Sequence, residues 1–365
     1  MSIEVERSIG EADAKKGKKT RMKRNATMAD VAKLAGVGTM TVSRLLSGSV
    51  TVSEATAKRI HKAIKKLNYQ PNEVARALRG LKTRTIGVIV PYLYDPFFAN
   101  CAHAIAVVAK QHEYSVIVTI STEDPEIEYR EASEMLRRNI EGMVIIPAMQ
   151  SDSYLRRPEF RNSRSVTLDR PSPIPRFDSV LVQNKSGAKL AVDHLIEHGH
   201  TRIACVGLSK NLYTMNMRYQ GYRRAMSDAN LNPLTYIDWS EQESIVPAMS
   251  KALNGSNAAT AIFCANNLTM RHALLALNEM GVQIPNGVAI AGFDDFELAE
   301  ILHPTLTVVR QPASEMGTVA ANVLFESLGA AEPQERGKEI VLPVELVIRR
   351  SCGCKARTTK VVPGG

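Results

Sequence analysis

No run of about 18 uncharged apolar residues, the minimum that crosses a bilayer, occurs in the 365-residue chain. The first residues are polar and basic where a secretory leader carries an apolar block. These absences give no membrane partner and lead us to expect a cytoplasmic, nucleoid-associated protein. Cysteine is scarce as well. Cys101, Cys205, Cys264, Cys352 and Cys354 make an odd number spread over a large chain, which argues for reduced thiols and against a disulfide framework. Cys352-Gly-Cys354 is the only close pair. No further ligand stands near it in sequence, so a plain thiol-bearing tail is expected and no metal is assigned. The eight histidines show no metal-ligand spacing, and His198-Gly-His200 is expected to close a helix as its C-cap. A nucleophile elbow is missing too. Six residues, where a phosphate loop has four, separate Gly10 from Gly17-Lys18. We therefore expect no enzyme, no catalytic residue and no cofactor.

What is present is strongly segregated. Residues 1–85 hold 19 Lys or Arg against 7 Asp or Glu, leaving 27 against 30 for the remainder of a chain whose net charge is +9. A phosphate-binding module needs such a basic end, because each neutralised phosphate releases condensed counterions. Residues 1–25, with Lys15, Lys16, Lys18, Lys19, Arg21, Lys23 and Arg24, are expected to form a disordered basic tail. Three helical patterns follow within residues 26–71. Thr27 can cap a helix over 28–35 with Val31, Leu34 and Ala35 on one face, and Gly36-Val37-Gly38 breaks it. A second, over 39–46, turns Val42, Leu45 and Leu46 inward and leaves Thr39, Met40, Ser43 and Arg44 outward; a third runs from Ser53 to Leu67. Two helices joined by a tight glycine turn and braced by a third make a helix-turn-helix domain. Pro71 stops this unit, and residues 72–84 carry a two-turn helical pattern too short to stand alone, a candidate hinge that folds on a partner.

After Thr85 short apolar runs alternate with longer amphipathic segments. Strands are predicted over 86–91, 116–120, 143–146, 203–207, 261–264 and 288–292, and helices over 99–112, 185–198 and 268–280. The fold class is thus α/β, with parallel sheets covered by helices on both faces. Roughly 270 residues exceed one doubly wound unit, so two lobes with a cleft between them are expected over 85–355. We assign one lobe to 86–182 plus 312–329, the other to 183–310 plus 330–354, and a flexible tail to 356–365.

Specific strings now carry a resemblance. Thr27-Met-Ala-Asp-Val-Ala-Lys-Leu-Ala-Gly-Val-Gly-Thr-Met-Thr-Val-Ser-Arg44, Val52-Ser-Glu54, Asn68-Tyr-Gln-Pro-Asn72 and Ala75-Arg76-Ala77-Leu78 occur in the head and hinge. The core adds Ile86-Gly-Val-Ile-Val-Pro91, Pro96-Phe97-Phe98, Leu168-Asp169-Arg170, Gly199-His200, Arg218 with Gly221, Gly292-Phe293-Asp294-Asp295 and Leu306 through Gln311. Together, over residues 26–352, the chain resembles the lactose repressor family of bacterial transcription regulators.

That resemblance implies a homodimer whose second helix enters the major groove of double-stranded operator DNA, one per half-site, so that the operator is a near palindrome. Thr39, Met40 and Arg44 would read bases, and Thr41 and Ser43 would hold phosphates. In the hinge, Asn72, Ala75 and Arg79 would accompany Leu78, which the family drives into the minor groove as a wedge. The core becomes a periplasmic-binding-protein-like clamp. Its small-molecule effector would be met by Phe97, Phe98, Asp169, Arg170, Arg218, Phe263, Asn266, Asp294 and Gln311. Three residues depart from the family pattern: Gly38 stands for the usual Ser, Asp95 for Asn, and Asn267 for Asp. The implied function is a repressor of carbohydrate-metabolism genes released by a sugar or sugar acid, Arg170 and Arg218 suiting an acid. The alternative is a co-repressor-dependent regulator with a purine or other non-sugar ligand. A transport-type binding protein would share the core and lack the basic head.

Overall fold

In the computed structural model, the described residues are 26–47, 52–69, 83–148, 151–234, 236–238, 244–332, 336–354 and 358–362. The expected basic tail and the hinge residues Asn72, Ala75, Leu78 and Arg79 lie outside them. The chain divides into two units, Met1–Lys82 and Thr83–Gly365.

In the first unit, local signals set the helix ends. Thr27 caps α1 (Met28–Ala35): its hydroxyl accepts from the Asp30 N–H at 3.3 Å while the Asp30 carboxylate accepts from the Thr27 N–H at 2.8 Å. This reciprocal pairing satisfies two of the donors a helix start leaves open. Gly36, at φ 64°, ends α1 in the left-handed conformation that glycine adopts without strain. Next come α2 (Thr39–Ser47) and α3 (Glu54–Leu67), the latter capped by Ser53 and closed by Asn68 at φ 47°. Val31, Ala32, Ala35, Val42, Ile60, Ala63 and Tyr69 make a small core, with Leu45, Leu46, Ile64 and Leu67 packed against it. The sequence reading is corrected at Leu34, which is 45% exposed. Ala32 takes the buried place, because a helix this short turns only a narrow stripe inward.

The second unit holds two sheets. The first runs β11-β5-β4-β3-β1-β2, all pairs parallel. It comprises β1 (Thr85–Val90), β2 (Ser115–Ile120), β3 (Gly142–Ile145), β4 (Ser165–Leu168), β5 (Asp178–Val182) and β11 (Glu339–Leu342). The second runs β13-β12-β10-β9-β8-β6-β7, from β6 (Ile203–Gly207), β7 (Tyr236–Asp238), β8 (Ala261–Cys264), β9 (Ala289–Phe293), β10 (Thr307–Arg310), β12 (Glu345–Ile348) and β13 (Thr358–Val361). Only its β10-β12 and β12-β13 pairs are antiparallel. Central strands such as β3, β4 and β8 are buried throughout, as two-sided cover requires, while edge strand β2 is half exposed.

Helices α4 (Pro96–Gln111), α5 (Pro125–Arg137) and α10 (Ala313–Gly329) pack on the first sheet. The second carries α6 (Asn184–Glu197), α7 (Tyr213–Asp228), α8 (Val246–Leu253) and α9 (Asn267–Glu279). The chain passes between lobes after β5, after β10 and after β11. Two boundaries of the sequence reading are thereby corrected: β11 pairs with β5, so residues 339–342 belong to the first lobe, and 358–361 form an edge strand where a flexible tail is expected. Gly221 lets α7 lie against α6, since a Cβ there would stand 2.2 Å from the Lys185 carbonyl oxygen.

Candidate functional site

Two surfaces concentrate the residues singled out from the sequence. On α2, Thr39, Met40 and Arg44 are exposed and Thr41 and Ser43 half-buried, while Val42 is anchored in the head core. The exposed side of this short helix thus carries Thr39, Met40 and Arg44, with Thr41 and Ser43 at its margins. Lys58, Lys62, Lys65 and Lys66 of α3 are exposed in the same unit.

The second surface lies between the lobes. A cavity of about 50 Å³ is lined by Tyr92, Tyr94, Asp95, Phe97, Phe98, Glu123, Asp169 and Arg170 from one lobe. Leu208, Leu212, Thr214, Met215, Arg218, Asn266, Leu268, Asp294 and Gln311 line it from the other side. A wider hollow of about 690 Å³ shares Phe97, Asp294 and Gln311 with it. Eight of the nine expected ligand-contacting residues therefore meet at one cavity. Phe263 does not: its side chain is fully buried in the β8 core, a correction to the sequence reading. Tyr92, Tyr94, Glu123, Thr214 and Met215 are lining residues that the sequence reading misses.

Loop ends aim the polar groups. Asp169 follows β4 at φ 67° and Asp294 follows β9 at φ 73°, left-handed positions that Asp tolerates better than most residues. Arg218, on α7 and 2% exposed, donates through Nε to Asn184 Oδ1 at 2.8 Å and through Nη1 to the Ala265 carbonyl at 2.8 Å. The same Nη1 reaches Asp294 Oδ2 at 3.3 Å, and the guanidinium stacks 3.8 Å over the Phe293 ring. Asp294 also accepts from the Asn267 N–H and from Gln311 Nε2. Across the cavity, Arg170 grips both Glu123 oxygens at 2.6 Å and the Pro147 carbonyl at 2.6 Å. Arg170 Nε, 3.6 Å from Asp169 Oδ2, is buried without a hydrogen-bond partner. The next residue of the β9 motif, Asp295, turns elsewhere and pairs with Arg310 and Arg349 at 2.6 and 2.8 Å.

Asp95 caps α4 by accepting from the Phe97 N–H and spans the lobes by accepting from Asn267 Nδ2, both at 2.9 Å. Two of the three departures from the family pattern thus face each other in one hydrogen bond. Burial, helped by the Asp294 charge, raises the Asp95 pKa. Burial also lifts Asp169 to about 6, outweighing the pull of Arg170 and Arg218. Among the described residues, Asp169 Oδ1 and Gln311 Oε1 are buried acceptors without a hydrogen-bond partner. Asn266 spends its side-chain oxygen on the Thr269 N–H at 2.9 Å, capping α9.

Comparisons with known proteins agree with this architecture. Residues 27–72 match the model of bacterial regulatory proteins of the lacI family, and residues 192–352 match a periplasmic binding protein-like domain. The HTH-type transcriptional repressor PurR of Aliivibrio fischeri strain MJ11 is 32% identical over 333 residues, covering 89% of this chain and 98% of its own. PurR of Actinobacillus pleuropneumoniae serotype 3 is 33% identical over 331 residues, with the same two coverages. The crystal structure of the lac repressor dimer bound to operator and the anti-inducer ONPF aligns with a TM-score of 0.78 at 26% identity, over 90% of this chain and 99% of that one. A complex of the transcriptional regulator CelR with cellobiose aligns at 0.64 with 28% identity, over 89% and 99%. Among the described residues no helix is long and apolar enough to cross a membrane. With head, core and order of domains all matched, the chain belongs to the lacI family of bacterial regulatory proteins and is a DNA-binding transcriptional repressor, not an enzyme.

Proposed function

We propose that the protein binds a near-palindromic operator as a homodimer in the cytoplasm and represses carbohydrate-metabolism genes. In this reading an uncharged, hydroxyl-rich ligand in the interlobe cavity releases it. Thr39, Met40 and Arg44 read bases, and the hinge around Leu78 completes the grip. The observation that carries the ligand class is the cavity's charge and hydrogen-bond balance. Four carboxylates (Asp95, Glu123, Asp169 and Asp294) line it against two arginines, each already engaged by protein acceptors. A sugar acid would meet net negative charge, which reverses the sequence-based hint toward acids. Hydroxyl donors would instead satisfy the two orphan acceptors, whose burial without a partner is otherwise costly.

Coupling to DNA follows from space. One water needs about 10–15 Å³, so about 50 Å³ admits only a few waters, whereas ligand sites run to several hundred Å³. A ligand that fills this cavity itself, and not only the adjoining hollow of about 690 Å³, parts the lobes and strains the Asp95–Asn267 hydrogen bond. A ligand that favours one lobe arrangement then shifts operator affinity by linkage.

A purine is the second reading, favoured by the aromatic wall of Tyr92, Tyr94, Phe97 and Phe98. Thermal-shift screening of the full-length protein with neutral sugars, sugar acids and purine bases separates the classes. The expected hit is a neutral sugar that raises the melting temperature of the wild type and not of Asp169→Asn. Stabilisation by purine bases alone would transfer the site to the second reading, and stabilisation by sugar acids alone would refute the charge argument.

A further inference from the structure

The sequence leaves Cys352-Gly-Cys354 without partners, and the fold supplies them. His194 in the last turn of α6 and His198 at its C-cap stand four residues apart, which brings both imidazoles to one side of the helix end. His194 Nε2 is 3.2 Å from Cys352 Sγ and 3.7 Å from Cys354 Sγ, and His198 Nε2 is 3.0 Å from Cys354 Sγ. The ligand atoms of His194, His198 and Cys354 all lie within 4.8 Å of one another. We propose that Cys352, Cys354, His194 and His198 form a zinc site that fastens the C-terminal segment to α6.

Geometry and donor type support this independently. Zinc bonds of about 2.3 Å to sulfur and 2.0–2.1 Å to nitrogen, arranged as a tetrahedron, set ligand atoms about 3.3–3.8 Å apart, near the 3.0–3.7 Å of the three sulfur–nitrogen separations above. Two thiolates and two imidazoles are the borderline-soft set that selects this metal in structural sites. The surrounding groups orient the donors. His198 Nδ1 lies 2.8 Å from the His194 carbonyl oxygen, which can only accept, so the proton sits on Nδ1 and the Nε2 lone pair faces the thiols. Thr307 Oγ1 donates to Cys352 Sγ at 3.1 Å and helps hold it in place.

With Cys352, 3.2 Å from His194, drawn onto the His194–His198–Cys354 group, all four positions would be filled by protein, which makes the site structural. Just beyond it, β13 runs along the sheet edge, and Lys360 pairs with Glu197 of α6 at 2.8 Å. Zinc would close this end of the second lobe, where four short edge residues alone provide weak anchorage.

The test is cobalt substitution in the full-length protein, reduced with a phosphine, stripped by dialysis against chelator and titrated with cobalt(II), then zinc. The expected result is one cobalt per chain, with the intense visible bands of a tetrahedral ion and near-ultraviolet sulfur-to-cobalt charge transfer, both abolished by equimolar zinc. Cys354→Ser and His198→Ala alter the solvent-facing half of the cluster, and each should weaken uptake at least about tenfold. His200→Ala, whose ring meets Thr260 away from the cluster, should leave it unchanged. Absence of the charge-transfer band in reduced wild type would overturn the proposal, as would bands that survive both ligand substitutions. A Cys352–Cys354 disulfide whose reduction brings no metal uptake would overturn it equally.

Discussion

Asp169→Asn should make the protein more stable, by an amount that depends on pH. The wild-type carboxyl is 3% exposed, leaves Oδ1 without a partner and titrates at about 6 in place of 3.8 because burial disfavours its charge. Each unit of that shift corresponds to 1.36 kcal/mol, so ionised Asp169 costs the folded state roughly 3 kcal/mol relative to the unfolded chain. Between the two values the folded protein keeps a proton that the unfolded chain has released. Its contribution therefore falls as pH rises from about 4 to about 6 and is constant above. Asparagine has the same shape, tolerates the left-handed backbone at this position and stays neutral at every pH. Allowing for relaxation, we expect a gain of about 2–3 kcal/mol at pH 8, or about 4–6 °C at roughly 2 °C per kcal/mol. The gain should shrink at pH 5, where the wild-type side chain is itself mostly protonated. Scanning calorimetry of both ligand-free proteins at pH 5 and pH 8 reads this directly. A difference equal at the two pH values, or a variant less stable at pH 8, would refute the reasoning. A stabilised variant that no longer responds to the effector would show that the strained carboxylate is kept for binding.

Gly221→Ala tests the α6–α7 contact. Alanine ordinarily favours a helix over glycine by about 0.5–1 kcal/mol, but here the added carbon meets a backbone carbonyl, and a loss of about 1–3 kcal/mol in thermal melts is expected. Thr27→Ala removes the capping pair with Asp30 and should cost about 1 kcal/mol, seen as roughly fivefold faster amide exchange in α1 with the core unchanged. Asn267→Ala deletes the hydrogen bond to Asp95 and should favour open lobes, tightening the cleft ligand severalfold in calorimetric titration while leaving α2 unaltered.

The head is nearly complete in its sequence because its signals are local. Thr27, Ser53, Gly36 and Asn68 act within a turn of the helix ends they set, and the ends of α1 and α3 fall where the capping pattern predicts. In the core, β4, β5, β10, β11 and β12 escape notice, being four- or five-residue runs with little periodicity of their own. Lobe membership of residues 339–342 depends on pairing with β5, some 160 positions away, which no local pattern encodes. Phe263 illustrates another limit. With β8 covered on both faces, every one of its residues is apolar and buried, so alternation cannot tell which side chain faces the cleft. Glu123 and the His194–His198 pair fail for the same reason: each matters only beside Arg170 or the Cys352–Cys354 segment, and the chain brings those partners together only on folding.

The most direct test measures operator affinity of the full-length protein by fluorescence anisotropy, with a cleft ligand absent and saturating, and the ligand's affinity with operator absent and bound. The account predicts twofold-symmetric recognition and the same coupling factor in both directions, abolished by Asp169→Asn. A ligand that fills the cleft yet binds equally well with and without operator would contradict it.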